Sequence, residues 1–392
     1  MSKLAVKNNR ILRSQQVLNA LIAIIRPYVP LDLQNTRITA EDIIAVLGYA
    51  SVHRISIDAA SHELKEAPSA NRLREVLAQA LPDRATLQRA LNTILRMQTP
   101  RFIKKGKRAY YMAIDLTLIP YHGEHYADEK EIIRSQPKSG TTHFHGYASV
   151  SIVHDNQRFV VALRFVEKGE SMQEIVAWLF DRLKSIGISI KRAYLDKGFC
   201  SVPVLKTLQR RKIKFIMPMP VRGKSGGVRK LFEASASYKT TYIFNSPKHG
   251  ELKVSAVAVK KYSKGRYHRK GTRWFAYAVA GLPKAVEPHQ VFELYRQRFG
   301  IETSYRQMNQ VRARTTSRNP VIRFLLVGLA FILFNLYIAN RQHFAICLKN
   351  PTKPFSKFWL TLRRLARVLA QAVENLFDLA DVVSRHTHVT LS

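Results

Sequence analysis

Asp115, Asp196 and Glu302 are three acids in a chain of 392 residues whose formal charge is +37. Asp115 closes Tyr111-Met-Ala-Ile-Asp115, and Asp196 closes the apolar run before Asp196-Lys-Gly-Phe199. Both runs read as strands, so each carboxylate is expected where a strand stops and a loop begins. Glu302 ends Tyr295-Arg-Gln-Arg298-Phe-Gly-Ile-Glu302, a helical pattern. At 100° per turn step, Tyr295, Arg298 and Glu302 share one helix face, onto which Arg306 and Asn309 also project. A stripe of tyrosine, arginines, one carboxylate and an amide is not a core face, and the cations Arg312, Arg314 and Arg318 follow it. Taken alone, such a stripe reads as a solvated surface. Three acids on separate elements of a very basic chain suit divalent metal beside a phosphodiester. In-line attack needs an activated oxygen nucleophile, a stabilised leaving oxygen and charge neutralisation, and two hard cations meet all three demands. Mg²⁺ prefers carboxylate oxygens and retains several waters, and arginine adds bidentate phosphate contacts.

Composition narrows the partners. With 64 Lys+Arg against 27 Asp+Glu, the chain calls for a polyanion. An anionic membrane surface fits less well, because the charge is spread along the chain instead of massed on one amphipathic segment. Two cysteines, Cys200 and Cys347, supply neither a disulfide framework nor a zinc finger, as expected of a reducing, cytoplasmic setting. The apolar stretch Phe324 to Ala339 is short for a membrane span, contains Asn335, and is expected to be a buried core helix.

The elements that must hold these residues follow from periodicity. Residues 1–100 read as short helices, with Thr39 and Asp42 forming a capping box. Their brief turns and scattered arginines predict a helix-turn-helix-like DNA-binding domain; an ordinary helical subdomain has the same composition. Beyond a basic linker, strands are expected at 109–119, 146–154 and 158–166, with Asp155-Asn156 turning the last two. A helix at 172–186, a strand ending at Asp196, a helix at 202–211 and a strand at 214–219 complete an α/β order. Three strands, helix, strand, helix, strand is the order of a ribonuclease-H-like sheet. The core is assigned to 108–220 and 289–345, interrupted by a β-rich insertion at 221–288 and followed by a helical C-terminal region, 346–392. In the latter, Phe358, Leu362, Leu365, Leu369, Val373 and Leu376 recur at helical spacing.

A resemblance sharpens the reading. Tyr295-x2-Arg298-x3-Glu302 resembles the YREK-type signature of DDE insertion-sequence transposases, Asp196-Lys-Gly-Phe199 resembles the block around their second aspartate, and Asp115-Leu-Thr their first. Separations of roughly 80 and 105 residues, the longer one holding a β-rich insert, are also similar. The resemblance covers about residues 108–340. It implies that Asp115, Asp196 and Glu302 hold two Mg²⁺ ions, with Mn²⁺ as substitute. Tyr295 and Arg298 would grip the phosphate at the reacting DNA end. Water would free a 3′-hydroxyl, which would then attack target DNA, with a homodimer joining two terminal inverted repeats. If excision passes through a hairpin, Trp274 is the aromatic expected to steady a flipped base, beside the cationic loop of Lys261, Lys264, Arg266, Arg269 and Lys270. A core tryptophan is the plainer reading of that residue. The position where the family carries lysine or arginine holds Asn309, so Arg306 or Arg312 becomes the substitute cation. The rivals are a DNA-binding relic or repressor without catalysis, and a ribonuclease-H-like nuclease that cuts without joining.

Other groupings carry less. His122, His125, His143 and His145 have ligand-compatible spacing, but lie in or beside a polar stretch that reads as a loop near Asp115. Cys200 reads as an inert small residue. Gly223-Lys-Ser-Gly-Gly227 lacks the spacing of a phosphate loop.

Overall fold

The computed structural model describes residues 12–34, 36–100, 103, 108–154, 157–264, 270–296, 307–347 and 360–381. The chain forms two compact units, one made of residues 99–305 and the other of residues 1–98 together with 306–392.

The first unit is built on one mixed sheet. Its strands are β1 (Tyr110–Tyr121), β2 (Ile133–Lys138), β3 (Thr141–His154), β4 (Gln157–Val166), β5 (Ile190–Leu195), β6 (Phe215–Pro218), β7 (Tyr238–Ser246), β8 (Gly250–Lys264) and β9 (Lys270–Ala280). The path runs β2-β3-β1-β5-β6-β9-β8-β7, with β4 also paired to β3. Strands β4, β3, β1, β5 and β6 reproduce the sheet order of a ribonuclease-H-like core: β3 is antiparallel to β1 and β4, and β5 is parallel to β1 and β6. Helix Met172–Ser185 makes the crossover from β4 to β5, and helix Val202–Arg210 makes the one from β5 to β6.

The β-rich segment is not a separate lobe. Strand β9 pairs antiparallel with β6 from Phe215↔Ala280 to Pro218↔Tyr277, so β7, β8 and β9 lengthen the core sheet itself. The predicted loop over 121–142 holds more structure than its polarity suggested, namely a 3-10 turn Glu129–Glu131 and the edge strand β2.

The second unit is helical and draws on both ends of the chain. In order its helices are α1 (Ser14–Ile25), α2 (Ala40–His53), α3 (Ile57–Glu63), α4 (Ala70–Ala80) and α5 (Arg84–Gln98). The crossover helices of the sheet unit are next, α6 (Met172–Ser185) and α7 (Val202–Arg210), followed by α8 (Pro288–Arg296). Back in the helical unit come α9 (Pro320–Cys347) and α10 (Leu362–Phe377). The expected capping box starts α2: Thr39 Oγ1 accepts from Asp42 N at 3.1 Å, and Thr39 N donates to Asp42 Oδ2 at 2.9 Å. Helices α2 and α3 meet at 103° across a three-residue turn in which Arg54 is left-handed (φ 61°), which is the geometry of a helix-turn-helix.

Two sequence-based boundaries change. Helix α9, assigned to the catalytic core, belongs to the helical unit. It is long and apolar enough to cross a membrane, yet 94% of its apolar window is buried. Gly328 allows that burial, since a Cβ there would lie 2.5 Å from Leu91 Cδ1 of α5. The C-terminal region is not independent either: α10 buries Leu362, Leu365, Leu369, Val373 and Phe377 against α1 and α2. The last residue of α10 and the one after it pair with the α3–α4 connection through Glu66 N to Phe377 O (2.8 Å) and Lys65 N to Asp378 O (2.9 Å). The apolar stripe of α10 is thus covered inside its own unit.

Candidate active site

The two aspartates meet through strand pairing. Parallel strands β1 and β5 run in register through Ala113↔Tyr194 and Ile114↔Leu195. Asp115 and Asp196 are the next residue on each chain, and Asp196 keeps an extended backbone (φ −74°, ψ 160°). The two carboxylates therefore leave adjacent strands at one level, about 5 Å apart in backbone terms. Both residues are half-buried.

Their local settings differ. Asp196 ends β5 as expected, and its carbonyl accepts from Phe199 N (3.0 Å) to open the 3-10 turn Lys197–Phe199. Asp115 does not end a strand. β1 continues to Tyr121 because β3 continues beside it, with Asp115 opposite Ser149. What stops at Asp115 is the parallel partner β5, and there the Asp115 Oδ1 accepts from the backbone N of Leu116 at 2.9 Å. The carboxylate thus lies where the sheet splits, on the open side of β1.

Tyr295 supports this end of β5. It is only 3% exposed, and its hydroxyl donates to the carbonyl oxygen of Leu195 at 3.2 Å. Its ring also lies against Tyr277 of β9, with centroids 5.3 Å apart. The sequence reading placed Tyr295 on a DNA-facing stripe. Here α8 turns it into the sheet, one residue short of Asp196.

Glu302, Arg298 and Arg306 lie outside the described residues, as do Arg266 and Arg269. Asn309 and Arg312 belong to the helical unit, where Arg312 Nε donates to Asn309 Oδ1 at 3.2 Å. Lys264 and Lys270 pair through their backbones at the end of the β8–β9 hairpin. Lys261 binds Glu293 of α8 at 2.8 Å and sits 3.9 Å from the centroid of the Phe292 ring. That ammonium holds the Glu293 carboxyl below the usual carboxylate range. Trp274 is half-buried, stacked on Phe232 at 5.9 Å with Lys260 Nζ 5.6 Å from its ring. The tryptophan lies on the sheet surface and is not part of the core.

The histidines do not gather. His122 and His125 are exposed and His143 is half-buried, whereas His145 is buried in β3 against Tyr121 and Phe165. Among the described residues no group of three or more His, Cys, Asp or Glu side chains comes together. Burial pushes the Cys200 thiol up to about 12, so it is neutral and inert at ordinary pH.

A ribonuclease-H-like sheet bearing paired aspartates at the mouth between two parallel strands defines a class of phosphodiester chemistry. The comparisons give the family. The transposase DDE domain family matches residues 107–336. The chain belongs to that family and is a transposase, a DNA-cleaving and strand-transferring enzyme of a kind that works with divalent metal ions. Among solved structures, it is similar to a piggyBac transposase synaptic complex with hairpin DNA, at TM-score 0.56 and 14% identity, over 94% of this chain and 81% of that one. The strand transfer complex of the Drosophila P element transposase aligns at TM-score 0.22 and 13% identity, over 51% and 43%. No curated protein sequence matches.

Proposed function

We propose that Asp115, Asp196 and Glu302 form the catalytic acids of this transposase and act on the ends of an insertion sequence. The observation that carries this is the β1–β5 register, which brings two carboxylates from positions far apart in sequence to one level at a sheet opening. The donor set fits a divalent metal: both are half-buried hard-oxygen donors, one within a strand and one at a strand end, with a third acid downstream at Glu302. Two Mg²⁺ ions bound there, or Mn²⁺ in their place, would neutralise phosphoryl charge and favour the deprotonated attacking oxygen.

The protein's own part is positioning. Strand β1 fixes Asp115 within its length, β5 delivers Asp196 at its end, and the Tyr295 bond to the Leu195 carbonyl braces the residue before Asp196. Arg298 supplies a guanidinium for the reacting phosphate. Water attacks the phosphorus at the element boundary and releases a 3′-hydroxyl, and that hydroxyl attacks a target phosphodiester in line. The α2–α3 corner reads terminal repeat DNA, and two copies of the chain hold two ends.

The test is a cleavage and joining assay on labelled boundary DNA with Mg²⁺ or Mn²⁺, run beside Asp115→Asn and Glu302→Gln. Boundary nicking and joined product are expected with the wild-type protein, and each variant should lose about 100-fold or more. Tight boundary binding without cleavage by any of them would leave a DNA-binding relic as the description.

A further inference from the structure

We propose that the cavity between α7, the start of α6 and the β7–β8 turn is a second DNA-backbone site, binding phosphates beyond the reacting bond. It encloses about 490 Å³, lined by Gln173, Lys206, Thr207, Arg210, Lys248 and His249 among others. That is room for a nucleotide-sized segment. Three permanent cations face it, and no acid lines it.

Helix stability does not account for this grouping. Arg210 in the last turn of α7 favours the helix dipole by itself. Lys248 arrives from a turn about 40 residues later, and bringing it beside Lys206 and Arg210 costs repulsion that an anion would relieve. The turn is also tied down: Lys206 Nζ donates to His249 O at 2.6 Å, and Gln209 Nε2 to Lys253 O at 3.1 Å. Nearby acids are engaged elsewhere, Asp181 with Arg211 at 2.6 Å and Glu174 in the cap of α6 with Ser171.

Thr207 gives the independent observation. It is 1% exposed, it lines this cavity, and its Oγ1 has no hydrogen-bond partner among the described residues. A buried hydroxyl without a partner is costly unless something else supplies one. A phosphate oxygen accepts from a hydroxyl and from lysine and arginine alike. Helix α7 begins shortly after Asp196, and α6 begins where β4 ends, at the same end of the sheet. The cavity therefore lies on the helical face along α7, which runs from the Asp196 end of the sheet toward the opposite end, where the β7–β8 turn meets it.

The inference rests on DNA being the substrate. The probe is a fluorescently labelled boundary duplex, titrated by anisotropy over a salt series with full-length protein. The triple variant Lys206→Gln/Arg210→Gln/Lys248→Gln is expected to bind at least tenfold more weakly at physiological salt. Its log K against log salt slope should be shallower by about 0.9 for each phosphate lost. Thr207→Val should lose several-fold in affinity at unchanged slope. An equal loss of slope in Lys184→Gln/Lys191→Gln/Lys212→Gln, which removes the same charge from other exposed positions, would overturn the assignment. So would a slope in the cavity variant equal to wild type. If inorganic phosphate raised the Tm of the wild type but not of the triple variant, with DNA slopes equal, the site would take free phosphate and not DNA. Failure of the wild-type protein to bind duplex at any salt would sink the DNA reading itself, and the cavity's role with it.

Discussion

Tyr295 spends its hydroxyl on Leu195, and that decides what its loss should do. Tyr295→Phe leaves the Leu195 carbonyl without that donor, for a cost of about 1–2 kcal/mol in urea unfolding. Because the residue acts through β5, kcat for end cleavage should fall while KM for DNA stays near wild type. A raised KM with unchanged kcat would instead mean that Tyr295 grips the phosphate. Cys200 makes a second case. Its pKa is raised by burial to about 12, so the stability gained from the neutral thiol is complete below the ordinary thiol value and is lost as pH rises through about 12. Iodoacetamide at pH 8 should leave the Cys200 peptide essentially unlabelled in the native protein and label it in urea, as read by mass spectrometry. The two aspartates were legible in the sequence because each follows an apolar run. The burial of Tyr295 was not: a helical projection says which side chains share a face and nothing about what that face meets.

Among the elements, strands were easier to read than their limits. Asp115 sits within β1 because strand length is set by the partner, and β3 keeps pairing to Tyr121 after β5 has ended. The same holds for the insert: its alternating residues announced strands, while the β6–β9 pairing that joins them to the core depends on contacts about 60 residues apart. Local signals fared better. Thr39 and Asp42 marked the start of α2, and both atoms of the box are bonded. Helix α10 shows the opposite limit, since its stripe was plain but its occupant was not. Leu369 is 1% exposed between α10 and its neighbours, so Leu369→Ala should cost about 2–5 kcal/mol. Circular dichroism through a urea titration would measure it, and a change under 1 kcal/mol would mean that the α10 packing is wrong. The cationic cavity escaped the sequence reading because Lys248 joins Lys206 and Arg210 only through the fold; the i,i+4 pair of cations after Asp196 was the available signal.

For the whole molecule, the decisive feature is that the helical unit takes its parts from both ends of the chain. Helices α1 to α5 come first, yet the apolar surface of α1 and α2 is closed by α10, and Lys65 and Glu66 bond to the backbone at its end. A nascent chain therefore carries an uncovered helical half while the entire sheet unit is being made. Roughly 280 residues separate Gln98 from Phe377, on the order of 15–55 s of synthesis at 5–20 residues per second. Fragments ending before α10 would expose that surface to chaperones and proteases. The α2–α3 corner gains its α10 cover only after the sheet unit has been made.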